Sequence, residues 1–582
     1  MLYSPPFIYE AGVCGVYRQK GGVMLNLFST LADPIEKYLT QSVDLIAPSS
    51  IHALLAAHQK SPLLLITTST RASDLLTAEL KSLVEPESVV NFPAWETLPH
   101  ERLSPKADTV TERFKALNQL NSNDIKFVVC SIRALMQPII ANPLEDSQVR
   151  IKVSNHFLMN DLIQKLITFG FTRSDLVERR GDFAVRGGIL DLFLADKEHP
   201  IRIDFFGDEI EDISYFAIAD QRSLDKVTEE ITIYPCRELL IDAHLKKKAL
   251  KLGQDFPQIS ELTEKIIQGI NFEGMESLAA GLVDEFKNIV DFLPDKSQIW
   301  IIDEPRVRTR SADLVTTNDE FLSAAWSNLA WAEDKELDAP IELSKQLGKG
   351  GFYELERVRK IADDYGYQIR NLNLYASNPN EKAIEFLEDI DSYANKYDAA
   401  ISDIKNWHKS GFKVIFTAPA VGTLKRFSEL LNTSDLPNET IQTRGIADKS
   451  NLITLLKSDL QYGFISEKYK LVVITDKDIS GQRSLDKDLA RMPSRRKKAI
   501  DPLQLKAGDY VVHEQHGVGR YSELINRTIS GISREYLVIE YASSKRGQPA
   551  DRLFVPTDTL EQVTKYVGGE APALHRIGGA DW

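Results

Sequence analysis

The sequence predicts a multidomain α/β protein that ends in a small β-barrel. Apolar runs alternate with helical stretches up to about residue 145, and β-branched and aromatic runs separated by Gly and Asp turns follow over residues 153–234. The block from Asp509 to about Thr557 contains only strands and turns. A length of 582 residues allows about three to five domains, each large enough to bury its own core.

The first α/β domain is predicted from repeats of strand and helix. The run SPLLLITTST precedes a helical stretch at residues 72–83, and the strand at 127–130 precedes a helix that opens at Ser131, a good N-cap residue. Strands that alternate with helices favour a parallel sheet. The strand at 298–303 restores this pattern after the β-rich part, which is therefore interpreted as an insertion.

These patterns give a set of domain boundaries. Residues 1–150 and 236–340 form the two parts of the first α/β domain, and an inserted α+β domain occupies 151–235, with a helix at 160–169. The remaining parts are a small α/β domain of unknown role at 341–485, a basic linker at 486–500, the barrel at 501–570 and a connecting segment at 571–582.

Composition limits the function. The net charge of −14 argues against a broad nucleic-acid footprint and favours protein partners, since phosphate binding relies on Lys and Arg. Three widely spaced cysteines do not form a disulfide framework or a zinc site. No apolar run approaches the ~18 residues of a membrane span, and the N-terminus lacks a secretory signal pattern. We therefore expect a cytoplasmic monomer.

Nucleotide chemistry is not expected in this chain. The phosphate loop G-x-x-x-x-G-K-[ST], whose backbone amides cradle phosphates, does not occur in the sequence. Asp303 and Glu304 follow an apolar strand as a Walker-B carboxylate pair would, but we interpret them as a degenerate remnant or as turn acids. No catalytic residue, metal or cofactor is predicted.

The basic run around residues 491–498 has two readings. It is a solvated linker, or its cations contact phosphate locally even though the chain is acidic. The candidate DNA contacts are Arg495, Arg496, Lys497 and Lys498.

Two motifs resemble known families. The string FPAWETLPHERLSPKADTVTERFKAL, at residues 92–117, is similar to the first domain of the bacterial transcription-repair coupling factor family, itself a relative of the UvrB helicase core. The string RRGDFAVRGGILDLF, with HPIRIDFFGDEIEDISYF after it, resembles the domain by which UvrB and this family bind UvrA. The resemblance implies a degenerate helicase-type scaffold with a UvrA interface.

The implied UvrA interface is a β surface with arginines. Planar guanidinium groups make bidentate contacts with carboxylates and therefore suit an acidic partner. A small sheet with merely solvated arginines is the alternative from composition alone. The interface residues that the resemblance implies are Arg173, Arg180 and Arg186, with Phe193 as an apolar anchor.

The last block, residues 505–569, resembles the RNA-polymerase-interacting domain that the coupling factors share with CarD regulators. The strings DYVVHEQHGVGRY and LFVP carry this match, and a five-strand SH3-like or Tudor-like barrel is expected. In that family the barrel docks on the polymerase β subunit through a strand edge, a mode in which main-chain hydrogen bonds give affinity. The candidate edge comprises Tyr521, Leu524, Ile525, Asn526, Arg527 and Thr528.

The resemblance implies a function in transcription-coupled nucleotide-excision repair, with RNA polymerase and UvrA as partners. The ATP-dependent translocase, its magnesium and most DNA binding are expected in motor domains that this chain lacks, so the chain is expected to be a piece of a longer protein. Two alternatives remain. One is a CarD-type regulator that binds polymerase without a repair role, and the other is an active UvrB-type helicase, which the missing phosphate loop disfavours.

Overall fold

A computed structural model shows a mixed α/β protein with several sheets. The structure describes residues 23–98, 103–121, 124–140, 147–329, 343–441, 452–481, 505–513, 517–529, 532–542, 551–556, 563–565 and 574–575. These residues fall into two compact units. The first comprises Met1–Leu63, Asp74–Val89 and Leu372–Arg483, and the second comprises Leu64–Ser73, Val90–Asn371 and Ser484–Trp582.

The N-terminal segment alternates helices and short strands, as predicted. The elements are α1 (Val23–Leu27), α2 (Ser29–Leu39), β1 (Leu45–Ile46), α3 (His52–Ala57), β2 (Leu63–Thr67), α4 (Thr70–Leu83), β3 (Val89–Phe92), α5 (Ala107–Leu120), β4 (Phe127–Ser131), α6 (Ile132–Met136) and β5 (Ile139–Ile140). Strands β2 and β4 are buried along their whole length, as apolar runs require. The hydroxyl of Ser131 accepts the amide of Ala134 at 3.2 Å, which confirms the predicted helix start.

The next segment forms an antiparallel sheet with a helix before it. This confirms the predicted change from alternating helices and strands to antiparallel strands. Its elements are β6 (Val149–Ile151), α7 (Met159–Thr168), β7 (Thr172–Arg173), β8 (Asp182–Arg186), β9 (Ile189–Leu192), β10 (Ile201–Phe206), β11 (Glu209–Phe216), β12 (Ser223–Lys226) and β13 (Ile231–Ile233). The six strands from β7 to β12 lie side by side in chain order, and β6 pairs with β13. Only the short β7 runs parallel to its neighbour.

The chain then returns to the first sheet. The elements are α8 (Ala243–Asp255), α9 (Ser260–Ile267), α10 (Ala279–Leu282), β14 (Phe286–Lys287), β15 (Gln298–Ile302), α11 (Glu304–Leu329), α12 (Leu343–Leu347), α13 (Leu355–Asp364) and β16 (Gln368–Asn373). Neighbouring strands in the second unit follow the order β16-β15-β2-β4-β3. Strand β15 lies beside β2, so the chain returns to the sheet of β2 after the β-rich segment; the division into an inserted domain at 151–235 stays a prediction.

A further α/β sheet lies in the first unit. Its region contains β17 (Lys382–Ala383), β18 (Glu388–Asp389), α14 (Tyr397–Lys409), β19 (Lys413–Ala418), α15 (Val421–Thr433), β20 (Asn438–Ile441), β21 (Ile453–Lys457), β22 (Phe464–Ser466), β23 (Leu471–Thr475) and α16 (Asp476–Ser480). The sheet order is β18-β22-β23-β19-β21-β20, with β20, β21, β19 and β23 parallel. Strand β16 pairs with β1, so the first strand of this sheet along the chain is β18; the predicted domain at 341–485 stays a prediction.

Within the first unit, the N-terminal helices pack on this sheet. The rings of Phe28 and Phe464 lie 5.7 Å apart. On α4, the buried carboxylate of Glu79 accepts the backbone N–H of Gln461 at 2.9 Å. Burial raises the pKa of Glu79 to about 7, because the charged form loses its hydration.

The C-terminal block is an antiparallel five-stranded sheet. Its strands are β24 (Tyr510–His513), β25 (Gly517–Ile529), β26 (Ile532–Tyr541), β27 (Asp551–Pro556) and β28 (Val563–Lys565), in the order β27-β26-β25-β24-β28. Gly519 lets β25 and β26 approach closely, since a Cβ there would lie 2.4 Å from Cγ2 of Ile539. Closure of this sheet into an SH3-like or Tudor-like barrel stays a prediction.

Candidate partner-binding surfaces

The inserted sheet has two faces with different roles. Alternating side chains separate them, because successive residues of a strand point to opposite sides. The inner face carries Phe183, Leu190 and Ile203, which pack in the main core of this domain. The outer face carries Ala184 and Arg186 on β8, and on β10 it carries the polar residues that alternate with the core positions.

Charged pairs organise the outer face. Both carboxylate oxygens of Asp191, which is 2% exposed, accept hydrogen bonds from the guanidinium of Arg202 at 2.7 and 2.9 Å. The Lys226 ammonium lies 3.0 Å from the Asp212 carboxylate. The pKa of Asp204 is raised by partial burial and by the neighbouring charge of Asp212. The pairs cancel most of the charge on this face locally.

The three predicted arginines occupy different positions around β8. Arg186 is exposed on the outer face and donates to the carbonyl oxygen of Asp175 at 2.9 Å. Arg180 lies 5.9 Å above the Phe193 ring and 3.8 Å from the Asp108 carboxylate. Arg173 is exposed on the edge strand β7, in register with an inner-face position of β8. The structure therefore brings Arg180 and Arg186 to the outer side and leaves Arg173 at the edge.

Phe193 is not an exposed anchor. Its side chain is 5% exposed and packs in a small cluster with Val177, Ala184 and Phe216. The loop that carries Val177 covers this part of the sheet, and sequence alternation alone does not reveal such a cover. Phe193 therefore lies on the outer side beneath the loop of Val177, and its ring is not exposed for contact with a partner.

Two exposed apolar side chains at the other end of the sheet were missed. Phe206, at the turn from β10 to β11, is 77% exposed, and Leu158, just before α7, is 59% exposed. The signal was present in the sequence, because the pair Phe205-Phe206 in an alternating strand must send one ring to each face.

The motif at residues 92–117 is structural. The indole N–H of Trp95 donates to the Glu238 carboxylate at 2.8 Å, and Nε of Arg113 donates to the same oxygen at 2.5 Å. The Arg113 guanidinium also lies 4.4 Å from the centre of the Phe92 ring. Arg113 is fully buried and Glu238 is nearly so, which makes this a buried ion pair that joins α5 to the end of the inserted domain.

The acidic residues that follow β15, Asp303 and Glu304, form ion pairs with arginines. Asp303 has a left-handed backbone with φ 59° and its carboxylate lies 3.2 Å from Nε of Arg306. Glu304 begins α11 and contacts Arg308 at 2.6 Å and Arg359 at 3.2 Å. The two carboxylates therefore lie at a turn and at a helix start, and the choice between turn acids and a degenerate Walker-B remnant stays a prediction. Within the described ranges, no group of three or more His, Cys, Asp or Glu residues is placed to hold a metal ion.

The predicted polymerase edge lies on the long strand β25. Tyr521 is buried, and its backbone pairs with Gly508 and Asp509, so this residue does not belong to a free edge. From Glu523 to Ile529, β25 pairs with β26 on one side, and none of the strands that the structure describes pairs with its other side. Leu524 and Ile525 are partly exposed there. The same stretch contains Asn526, Arg527 and Thr528, whose side chains are not described.

The basic candidates Arg495, Arg496, Lys497 and Lys498 lie outside the described residues and stay a prediction. Among the helices that are described, none is both long and apolar enough to cross a bilayer.

Comparison with known families finds a match for each of the two regions that carry these candidate surfaces. Residues 149–239 match the UvrB interaction domain, and residues 505–567 match the CarD-like/TRCF RID domain. The transcription-repair-coupling factor of Mycobacterium bovis is 38% identical over 564 residues, which cover 92% of this chain and 45% of that protein. Over nearly its whole length, the chain matches the N-terminal part of transcription-repair-coupling factors.

More distant relatives show the same extent of similarity. The transcription-repair-coupling factor of Bacillus subtilis is 25% identical over 96% of this chain and 47% of its own length. That of Myxococcus xanthus is 26% identical over 97% of the chain and 48% of its own length. The chain therefore spans about half the length of the curated relatives that it matches.

Proposed function

We propose that this chain is the docking part of a transcription-coupled nucleotide-excision repair factor. In this proposal the C-terminal sheet holds the β subunit of stalled RNA polymerase, and the inserted domain recruits UvrA. The observation that carries the proposal is that a UvrB interaction domain and a CarD-like domain occur in one chain that matches coupling factors along 92% of its length. Both partners act on DNA in the cytoplasm, where the chain works as a monomer.

The geometry supports a distinct binding mode for each partner. On the side of β25 from Glu523 to Ile529 that no described strand occupies, main-chain groups can pair with a strand of the polymerase, and such pairing gives affinity without a deep pocket. The inserted sheet offers the exposed guanidinium of Arg186, which suits a carboxylate of UvrA. Each surface belongs to a separate sheet, so loss of one leaves the other intact.

Motor activity is assigned to the part of the relatives that this chain does not match. The sequence contains no phosphate loop, and arginines hold Asp303 and Glu304. We therefore expect no DNA-stimulated ATP hydrolysis by the isolated chain. In the whole protein, an ATP-dependent and magnesium-dependent translocase would supply the force on the polymerase and most of the DNA contacts.

A two-partner pull-down tests the proposal. The purified chain is incubated separately with the polymerase β subunit and with UvrA, beside an Arg186→Glu variant and a variant without residues 501–582. Each variant is expected to lose only its own partner. Retention of polymerase with no binding of UvrA by the wild-type chain would instead support a CarD-type regulator, and loss of both partners would refute the docking role.

A further inference from the structure

The turn between β10 and β11 carries the most exposed large apolar side chain in the described part of the chain. Phe206 is 77% exposed, although phenylalanine is among the residue types that are most often buried. Leu158 lies beside the same turn, because the N–H of Phe157 donates to the carbonyl oxygen of Asp208 at 2.7 Å. We name Leu158 and residues 206–208 the apolar tip.

The apolar tip shares the outer face with Arg186. On β10, Ile203 and Phe205 pack on the inner core, so alternation places Asp204 and Phe206 on the outer side. Across the sheet, Arg186 is in register with Ile189, and Ile189 is in register with Asp204. Two strand spacings, roughly 10 Å, therefore separate Arg186 from Asp204, and Phe206 follows at the end of β10.

Arg186 is an exposed outer-face cation that a carboxylate of a partner can reach. Arg202 and Lys226, on the same face, are paired with Asp191 and Asp212. The guanidinium of Arg186 donates to a backbone carbonyl, and no carboxylate of the described residues lies within ion-pair distance of it. Aromatic and arginine side chains are both enriched at protein interfaces relative to the rest of the protein surface.

The backbone presents Phe206 rigidly. The N–H of Phe205 donates to the carbonyl oxygen of Gly188 at 2.8 Å, and the N–H of Ile210 donates to that of Asn155 at 2.9 Å. A Cβ at Gly188 would lie 2.9 Å from the Phe205 oxygen, so glycine permits this close approach. A side chain on a fixed turn loses little conformational entropy when a partner covers it.

We propose that Phe206 is the apolar anchor through which the inserted domain binds UvrA, with Arg186 as its charged neighbour. The partner surface is an apolar pocket that receives the ring, with carboxylates at its rim that receive the guanidinium. The identity of the partner rests on the proposed function, whereas the position of the anchor rests on the exposure and the register of β10. This anchor replaces the one that the sequence had placed at Phe193.

Titration of UvrA against the full chain tests this inference. Dissociation constants are measured for the wild type, Phe206→Ala, Phe206→Tyr and Leu224→Ala. Leu224 is a matched control, because it is 46% exposed on β12 of the same sheet and lies near the opposite end from the tip. We expect Phe206→Ala to weaken binding by on the order of tenfold or more, and both other variants to stay within threefold of the wild type. Circular dichroism and thermal melting confirm that each variant is folded.

The outcomes of this titration distinguish a failure of the Phe206 anchor from a failure of the proposed function. If the wild type binds UvrA and Phe206→Ala binds within threefold of it, the anchor is refuted and the proposed function stands. If the wild type does not bind, both fail. Equal weakening by Phe206→Ala and Leu224→Ala would refute a specific anchor. Loss of a wild-type homodimer in Phe206→Ala, with unchanged UvrA affinity, would assign the tip to self-association and also refute it.

Discussion

Substitution of Glu238 by Gln should destabilise the second unit strongly. The change keeps an oxygen that accepts the indole N–H of Trp95 and removes only the negative charge. The side chain of Arg113, which is 1% exposed, would then hold a buried cation without its counter-ion. Loss of one partner of a buried ion pair costs about 3–5 kcal/mol, and we expect a value near the lower end because the hydrogen bond remains.

The assay must report locally, because a multidomain chain does not unfold in one step. Urea unfolding followed by hydrogen-exchange mass spectrometry gives the free energy of opening for peptides from α5 and from the segment around Glu238. The double variant Arg113→Met/Glu238→Gln removes both charges. It should be less destabilised than the sum of the two single variants, by about 0.5–3 kcal/mol.

An exposed ion pair supplies the control. Arg150 lies 3.8 Å from Glu230, and both side chains are more than half exposed, so Arg150→Ala should cost less than about 1 kcal/mol. Two results would contradict the assignment of Arg113 and Glu238 as a buried ion pair. One is strictly additive effects of the two single variants on the free energy of unfolding. The other is a loss of stability in Glu238→Gln no larger than that in Arg150→Ala.

Three further predictions concern other parts of the chain. The pKa of Glu79 rises from 4.5 to about 7 on folding, so its protonation contributes fully to the free energy of unfolding below pH 4.5, and this contribution is lost as the pH rises through 7. Between these pH values the wild type should lose about 3 kcal/mol of unfolding free energy relative to Glu79→Gln. Urea unfolding at several pH values measures this difference. Gly519→Ala should destabilise the C-terminal sheet by about 1–3 kcal/mol through overpacking, whereas Gly422→Ala, in open space on α15, should stabilise by up to about 1 kcal/mol, and melting curves should separate the two. Cys130 and Cys236 are buried and their pKa values are raised by desolvation, so a thiol reagent should label them only on unfolding; rapid labelling in the native state would contradict this.

The fold was predictable where the pattern is local. The apolar runs, the cap at Ser131 and the antiparallel texture of the inserted domain all report on neighbouring residues, and the structure confirms them. The sheet that β16 joins was not predictable, because its pairing partner β1 lies more than 300 residues earlier in the chain. No residue between 341 and 373 indicates which sheet the strand will join.

The residue types on the outer face of the inserted sheet could be predicted from the sequence, but the exposure of the aromatic side chains on that face could not. An arginine on an alternating strand is expected to face outward, as Arg186 does. An aromatic ring on the outer face has two possible environments, since a loop can cover it or leave it open. Phe193 is covered by the loop of Val177 and Phe206 is not, and that difference depends on chain segments distant from both rings.

The position of β15 beside β2 has a consequence during synthesis. Roughly 230 residues separate the end of β2 at Thr67 from the start of β15 at Gln298. At about 5–20 residues per second, the ribosome needs some ten to fifty seconds to supply the missing strand. The inserted sheet from β7 to β12, whose neighbours follow in chain order, has all its strands by residue 226, before the surrounding sheet receives β15. The apolar strands β2 and β4 therefore wait longer for their neighbour, and a nascent chain arrested between residues 233 and 298 would expose them to chaperones while all strands of the inserted sheet are already present.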